Sequence, residues 1–456
     1  MISPRYWFYA LCLRDQGGKN MQSMTIKNLL RYGFVFCAAF VFSAQSALAG
    51  GFQIGEMATR ASGMGSAFTA VADDASAAWH NPAGVAFSSA NQAMLGGDAL
   101  LIPGSKFTSN ASTKGVGGAP ITAAVDAKRK NFFVPHAYYT YMDKRSGLGA
   151  AVSINAPFGL ETNWPETSPF KTKSTFSRIQ MLMINPSIVY KINDNISVAA
   201  GVDYAFVNNV DLNSTLQNMN GNGDGWGANA AIFYKSDSFD VGITYRSRIK
   251  VDITGSALAK STLATLGAST SSANTSLTLP DQVNVGLAFR PSPAWLLSFD
   301  VDWVNWKTYD AINITFDNAA YRTAVRRLQT RVGATVTGQT NLLENWKATT
   351  AFRAGAEWTY SPTMRARFGY VFDPTPINDV DFTPSIPGND RQIFSVGYGY
   401  DINPKMTVDL LYAYVYFSKR DQTASSATPA GSPNTVKNGV YKSDVHILAL
   451  SLNYKF

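Results

Sequence analysis

The side chains best suited to proton transfer in this chain are three histidines, His80, His136 and His446. They are far apart in sequence, and none accompanies a Gly-x-Ser-x-Gly turn or another nucleophile signature. Both cysteines, Cys12 and Cys37, precede a small-x-small cleavage pattern at Ala47-Leu48-Ala49. The processed chain therefore has no thiol, which excludes a disulfide framework and a paired-cysteine zinc site. No metal or other cofactor is implied, and catalysis is not expected. Two other groupings stand out by residue type and spacing. Arg322, Arg326, Arg327 and Arg331 recur at helical i, i+4 spacing. They can present guanidinium groups to an anionic head group or to lipopolysaccharide, or simply form a solvated face. In the run Asn155-Ala156-Pro157-Phe158-Gly159, Pro157 has no N–H to give a ladder and Gly159 tolerates an irregular backbone. A strand passing through it should lose its pairing there, unless the run merely begins a loop.

The elements that position these groups follow from composition. Of 456 residues, 46% are hydrophobic and only 15% are charged. Yet beyond residue 49 no apolar stretch approaches the ~20 residues a membrane helix needs. The one strongly apolar block, Tyr32–Phe42, follows Lys27 and Arg31 and reads as a secretory signal ending at Ala49. Met21 or Met24 is a better start for it than Met1. Taking its five basic residues and one acid from the totals of 39 and 31 lowers the formal net charge from +8 to +4. That balance gives no reason to expect a nucleic-acid partner.

From Gln92 onward, segments of about ten residues alternate apolar with polar, the period of a strand with two unlike faces. Fourteen are read: 92–102, 132–142, 147–157, 177–192, 196–209, 225–236, 239–253, 281–291, 295–306, 349–361, 364–373, 391–402, 406–419 and 443–456. Short turns such as Asp143–Ser146 and Asn193–Asn195 alternate with long connections, 103–131, 158–176, 210–224, 254–280, 307–348, 374–390 and 420–442. That alternation, with an even strand count, is the pattern of a bacterial outer-membrane barrel. In 295–303, Trp295, Leu297, Phe299, Val301 and Trp303 share one side, while Ser298, Asp300 and Asp302 share the other. A cation on the lipid side costs roughly 2–4 kcal/mol at the midplane, so the charged side must face inward. Trp303, Trp306, Tyr412, Tyr414 and Tyr416 are expected in one interfacial girdle, and Tyr454 and Phe456 in the other. The expected fold is all-β: a transmembrane antiparallel barrel of about fourteen strands over 92–456. Residues 50–91 should form an N-terminal plug in its lumen. A terminal Phe456 resembles the ending that outer-membrane assembly machinery recognises. The chain is expected to act as a monomer in the outer membrane of a Gram-negative bacterium.

The segment Gly50–Phe87, with its Gly-Phe-Gln start at Gly51-Phe52-Gln53, Ala72-Asp73-Asp74-Ala75 and Asn81-Pro82-Ala83, resembles the plug of the FadL-type long-chain fatty acid transporters. That family includes the TodX-like aromatic hydrocarbon channels. Further matches are Gly242–Ser247, Leu279-Pro280-Asp281, Phe372–Pro376, Ile386-Pro387 and Asp390-Arg391. The resemblance spans essentially 50–456. It implies a channel for hydrophobic small molecules, most naturally long-chain fatty acids, gated by the plug. Phe52, His80, Asn81, Pro82 and Ala83 would belong to the plug and gate. Substrate would leave sideways at a kink in the third strand, which places Asn155, Pro157, Phe158 and Gly159 at the exit. One departure concerns the head group. The fatty acid members carry basic residues just after strand five and late in the loop after strand nine. The matching places here, Val207–Asp211 and Asn341–Glu344, hold none. Arg322, Arg326, Arg327 and Arg331 are the available substitutes. Alternatives are a hydrocarbon channel of the same family, a general porin, or a surface adhesin built on loops such as 254–280.

Overall fold

The computed structural model describes residues 51–115, 118–423 and 435–456. The expected signal segment therefore lies outside the described residues. Fourteen antiparallel strands close into one barrel. In chain order they are β1 (Gln92–Ile102), β2 (Lys130–Asp143), β3 (Leu148–Asn155, resuming as Gly159–Asn163) and β4 (Phe176–Lys191). Then follow β5 (Ile196–Asn213), β6 (Gln217–Lys235), β7 (Phe239–Arg246 with Ile249–Ala259) and β8 (Thr270–Leu279 with Gln282–Ser292). The circle is completed by β9 (Trp295–Val304), β10 (Thr349–Ser361), β11 (Met364–Asp373), β12 (Arg391–Asn403), β13 (Met406–Phe417) and β14 (Asp444–Lys455). Closure is direct: β1 pairs with β14 from Gln92↔Lys455 to Leu101↔His446, and with β2 from Gln92↔Thr140 to Ile102↔Lys130. In hydrocarbon every backbone polar group needs an internal partner, and only a closed sheet or a helix supplies one.

The two faces separate as the alternation requires. Leu448, Leu450 and Leu452 of β14 are exposed outward, while Ala449, Ser451 and Asn453 are buried in the lumen. Asp300, Arg353, Glu357, Arg367 and Asp409 all point inward and are buried. Near the short turns, Trp295 stacks on Trp358 at 5.8 Å, with Tyr360 beside them, as one interfacial girdle. Trp306 departs from the expected girdle. It is fully buried and turns into the barrel.

The strands also run further than the alternation indicated. Residues 210–224 are not a loose loop: β5 and β6 stay paired up to Asn213↔Asn218, leaving a tip at 214–216. Above the lipid neither face needs an apolar coat, so polar and glycine-rich sequence such as Gln217–Gly227 pairs without alternating. The segments expected as loops 254–280 and 307–348 likewise hold strand extensions. They also carry two helices, α3 (Ser261–Thr265) and α4 (Ala319–Arg331). A separate small sheet joins Lys106–Thr108, Ala124–Asp126, Arg420–Gln422 and Gly439–Lys442 at the long-loop end. It is packed by Phe107, Phe170 and Tyr441.

Residues 51–91 fill the bore. They form two short helices, α1 (Thr59–Gly63) and α2 (Ala77–His80), and a 3-10 turn Pro82–Phe87. The outward face gives a direct test. Leu450→Arg should destabilise the barrel by about 2–4 kcal/mol, read from denaturant unfolding in lipid vesicles. Ser451→Ala on the lumen side of the same strand should change it little.

Candidate functional site

The plug is seated on glycines of the wall. A Cβ at Gly242 would lie 2.0 Å from the Thr69 carbonyl oxygen, and one at Gly369 would lie 2.0 Å from the Gly65 nitrogen. At Gly355 it would meet the Met64 oxygen at 2.5 Å. Plug backbone thus lies directly on wall backbone, an approach only glycine permits. Small residues of the plug take part as well: Gly65 supplies the nitrogen that meets Gly369. The matching glycines of β7, β10 and β11 carry no signal in the sequence, because an inward glycine fits the alternation as a neutral member.

Polar contacts then fix the register of the plug. Asn81 accepts from the Ala83 N–H at 3.1 Å and donates to the carbonyls of Thr69 at 2.9 Å and, across on β6, Ile232 at 3.2 Å. Pro82 starts the 3-10 turn, where its missing N–H costs nothing. Ser197 of β5 donates to the Ala83 carbonyl at 2.7 Å. Asp300 of β9 accepts the Phe68 and Thr69 N–H groups at 3.0 and 2.9 Å. Arg60 of α1 reaches Glu357 at 2.9 Å, Asp73 at 2.5 Å and Asp74 at 3.2 Å, and Arg367 joins Glu357 to Asp409 at 2.6 Å each. His80, Asn81, Pro82 and Ala83 are thus brought together. The His80 ring holds the Met57 carbonyl at 2.8 Å and lies edge-on to Phe68. Burial, against the pull of that carbonyl, pushes the imidazole down to about 4.

Phe52 lies apart from that cluster, in an aromatic cage. Its ring centre is 5.8 Å from Phe158, 5.1 Å from Trp306, 5.4 Å from Tyr309 and 5.8 Å from Trp346. The cage therefore joins the start of the plug to the expected exit. At the bottom of that exit, β2 and β3 pair from Asp143↔Leu148 to Ala137↔Ile154 and then stop. The resumed strand Gly159–Asn163 pairs only with β4. In place of β2, the N-terminal segment supplies partners: Ile54 N–H to Pro157 O at 2.9 Å, Gly159 N–H to Phe52 O at 3.0 Å, and a bridge Gln53↔Phe158. Further up, contact with β2 returns through Lys128 N–H to Asn163 O at 2.8 Å and the Lys130–Glu161 ion pair at 3.4 Å. The wall thus has a framed interruption, with Pro157 on one side and Pro135 on the other. Pro135, mid-strand in β2, was readable as a missing ladder donor and was overlooked.

The arginines of α4 sit elsewhere. The helix packs by Tyr321, Ala324 and Val325, leaving Arg326, Arg327 and Arg331 exposed and Arg322 half-buried. Arg322 donates to the Phe316 and Asp317 carbonyls, and Arg327 to that of Leu266. Near the cage the ionisable group is Glu344, which accepts from Trp346 Nε1 at 3.0 Å and is pushed up to about 8 by burial. At neutral pH it is mostly uncharged, so the cage is an apolar surface. Between the plug and the wall of β6 to β10 a cavity of ≈ 50 Å³, touched by Gln53, His80, Asn284, Asp302 and Arg353, is polar. It has room for a few waters and none for an acyl chain.

Two outcomes follow for the plug. Gly369→Ala should leave an assembled barrel with a displaced plug, seen as raised single-channel conductance and faster proteolysis of residues 51–91. Since folding buries His80 as the neutral form, plug docking is at full strength above pH 6.5, the ordinary histidine value, and weakens as pH falls toward 4. The loss reaches on the order of 3 kcal/mol. Amide exchange of the plug against pH checks this, and His80→Gln should flatten the profile.

A family model described as outer membrane protein transport protein (OMPP1/FadL/TodX) matches residues 40–456. The chain is similar to the long-chain fatty acid transport protein of Escherichia coli strain K12, 23% identical over 447 residues, covering 86% of this chain and 93% of that protein. It is also similar to outer membrane protein P1 of Haemophilus influenzae, 22% identical over 477 residues, covering 92% and 98%. Among solved structures, a Pseudomonas aeruginosa FadL homologue superposes with a TM-score of 0.73 at 17% identity, covering 89% of this chain and all of that one. The Pseudomonas putida toluene transporter TodX superposes at 0.58 and 15% identity, covering 84% and 94%.

Proposed function

Because the chain belongs to the OMPP1/FadL/TodX family of outer membrane transport proteins, we propose that its substrates are long-chain fatty acids and that they leave sideways through the break between β2 and β3. The coarser statement needs no proposal: this is an outer-membrane channel of a Gram-negative bacterium for hydrophobic compounds, and not an enzyme.

The observation that carries the reading is the replacement of β2 by residues 52–54 along Pro157–Gly159. A ladder made by a short N-terminal segment can be unmade at the cost of a few hydrogen bonds, whereas a ladder between barrel strands cannot. The energetic case for a side exit is simple. Each CH₂ brought into water costs roughly 0.8 kcal/mol, so a long chain gains by passing from an aromatic cage directly into lipid. The similarity to the long-chain fatty acid transport protein of Escherichia coli supports the acyl chain as cargo. A second reading, a monoaromatic hydrocarbon, is favoured by one observation: four aromatic rings, Phe158, Trp306, Tyr309 and Trp346, surround Phe52. The exposed arginines of α4 fit lipopolysaccharide phosphates better than a buried carboxylate.

The processed chain has no cysteine, so one engineered pair is unambiguous. Gln53→Cys with Phe158→Cys, at a bridged pair, should lock the N-terminal segment onto the kink when oxidised. Uptake of labelled oleate by a deletion strain should then fall to background and recover on reduction. Equal uptake by the oxidised and reduced forms would sink the side exit. Toluene uptake exceeding that of oleate would favour the second reading.

A further inference from the structure

Just inside the break, the lumen wall carries a cluster of buried polar atoms with no partner. His136 and Asn155 are the first residues beyond the last β2–β3 pair, Ala137↔Ile154, one on each side of the gap. Register places Tyr138 opposite Ser153 and Ser153 opposite Asn185, on adjacent strands and the same face. Asp98 of β1 completes the group, its Oδ2 3.2 Å from His136 Nδ1, and the His136 and Tyr138 rings lie 5.5 Å apart. Asp98, His136, Tyr138, Ser153 and Asn155 are each at least 97% buried. Even so, Asp98 Oδ1, His136 Nε2, Tyr138 Oη, Ser153 Oγ and both amide atoms of Asn155 have no hydrogen-bond partner. Gly96, opposite His136, makes room for the ring: a Cβ there would lie 2.3 Å from Nε2.

Buried polar groups are almost always satisfied, because an orphan costs about 1–3 kcal/mol. So many orphans in one patch at a break in the wall mark a place made for a ligand group. The donor and acceptor pattern says which group. The tautomer in which Nδ1 donates to Asp98 Oδ2 leaves Nε2 as a bare acceptor. Asp98 Oδ1 is a second acceptor. The hydroxyls of Tyr138 and Ser153 and the Asn155 amide supply donors. An anion is disfavoured, because the patch already holds the Asp98 carboxyl and none of its side chains is a lysine or an arginine.

Building on the side-exit reading, we propose that Asp98, His136, Tyr138 and Asn155 form a head-group site at the sill of the exit that binds a neutral O–H. Such a group is a protonated carboxylic acid or a long-chain alcohol, not a carboxylate and not a bare hydrocarbon. The O–H donates to His136 Nε2, and its oxygen accepts from Tyr138 Oη or Asn155 Nδ2. A fatty acid thus crosses the sill in its protonated form, and no cation is needed there. This accords with the absence of basic residues at the two places where the fatty acid members carry them.

The test uses the full-length protein in a deletion strain and three chain-matched probes: a long primary alcohol, its methyl ether and the alkane. The ether keeps the oxygen and loses the donor. Wild type should take up the alcohol over the ether by roughly three- to tenfold, the worth of one hydrogen bond to a buried group. In Tyr138→Phe and Asn155→Leu that preference should shrink toward unity. Should Asn155→Leu fail to assemble, Tyr138→Phe, which removes a single oxygen, decides the matter. An alcohol-to-ether ratio that is already one in wild type, or that is the same in wild type and Tyr138→Phe, overturns the site. The cluster then holds ordered water only. The oxidised Gln53→Cys/Phe158→Cys protein separates the two ideas. If it blocks all three probes while the ratio is unmoved, the exit stands and the head-group site falls. If it blocks none, the exit itself is wrong.

Discussion

The structure turns on one constraint: backbone N–H and C=O groups inside a membrane must find partners within the protein. Most strand junctions meet it with ladders between neighbouring barrel strands. The junction between β2 and β3 does not along its whole length, and the unpaired stretch at Pro157–Gly159 takes its partners from residues 52–54. Two prolines reduce the demand at the break, since neither Pro135 nor Pro157 has an N–H to satisfy. The N-terminal segment is therefore both the head of the plug and a substitute strand. Anything that moves it changes the integrity of the wall.

The rest of the plug is held by the opposite logic. Where residues 52–54 make a few separable hydrogen bonds, residues 60–83 sit on wall glycines and are crossed by buried ion pairs. Removing one partner of such a pair leaves an uncompensated charge in a low-dielectric interior, a loss of about 3–5 kcal/mol. The Arg60–Glu357–Arg367–Asp409 chain therefore acts as an anchor. Its strength lies in the cost of breaking it more than in the net attraction of its charges. A loosely paired head on an anchored body is a division of labour that would let the proposed exit respond without emptying the bore.

Much of this was legible in the sequence wherever the lipid enforces it. Strands such as Trp295–Val304 and Asp444–Lys455 alternate because one face is hydrocarbon and the other is not, and their bounds agree with the alternation to within about two residues. The requirement stops at the membrane surface, and legibility stops with it. Gln217–Asp224 pairs as strand while reading as loop, because water on both sides makes no demand on side-chain period. Trp306 illustrates a different limit. Its position after Trp303 suits an interfacial belt, but the chain leaves the strand at Asn305 and the ring turns inward onto Phe52. Asn81-Pro82-Ala83 was recognisable as a unit, while its anchor points, Thr69, Ile232 and Ser197, are spread along the chain and have no local signature.

The sill of the exit follows from the same accounting of partners. A wall that opens for an apolar molecule would be expected to be apolar at its edge, as the Phe52 cage is. Instead, the first inward side chains beyond the break are His136 and Asn155, both buried, with no partner for His136 Nε2 or for either amide atom of Asn155. Orphaned polar groups destabilise the empty protein, so a group of them at the break between β2 and β3 needs a compensating gain. On the proposed reading, a ligand bearing a hydrogen-bonding terminus supplies that gain in passing. It also explains how an amphiphile can be drawn from an aromatic cage toward lipid: its tail is exchanged between two apolar surroundings, while its head is handed to groups that otherwise have nothing to bond. The hydrocarbon part of the cargo sets the direction of travel, and the polar end decides which cargo is helped across.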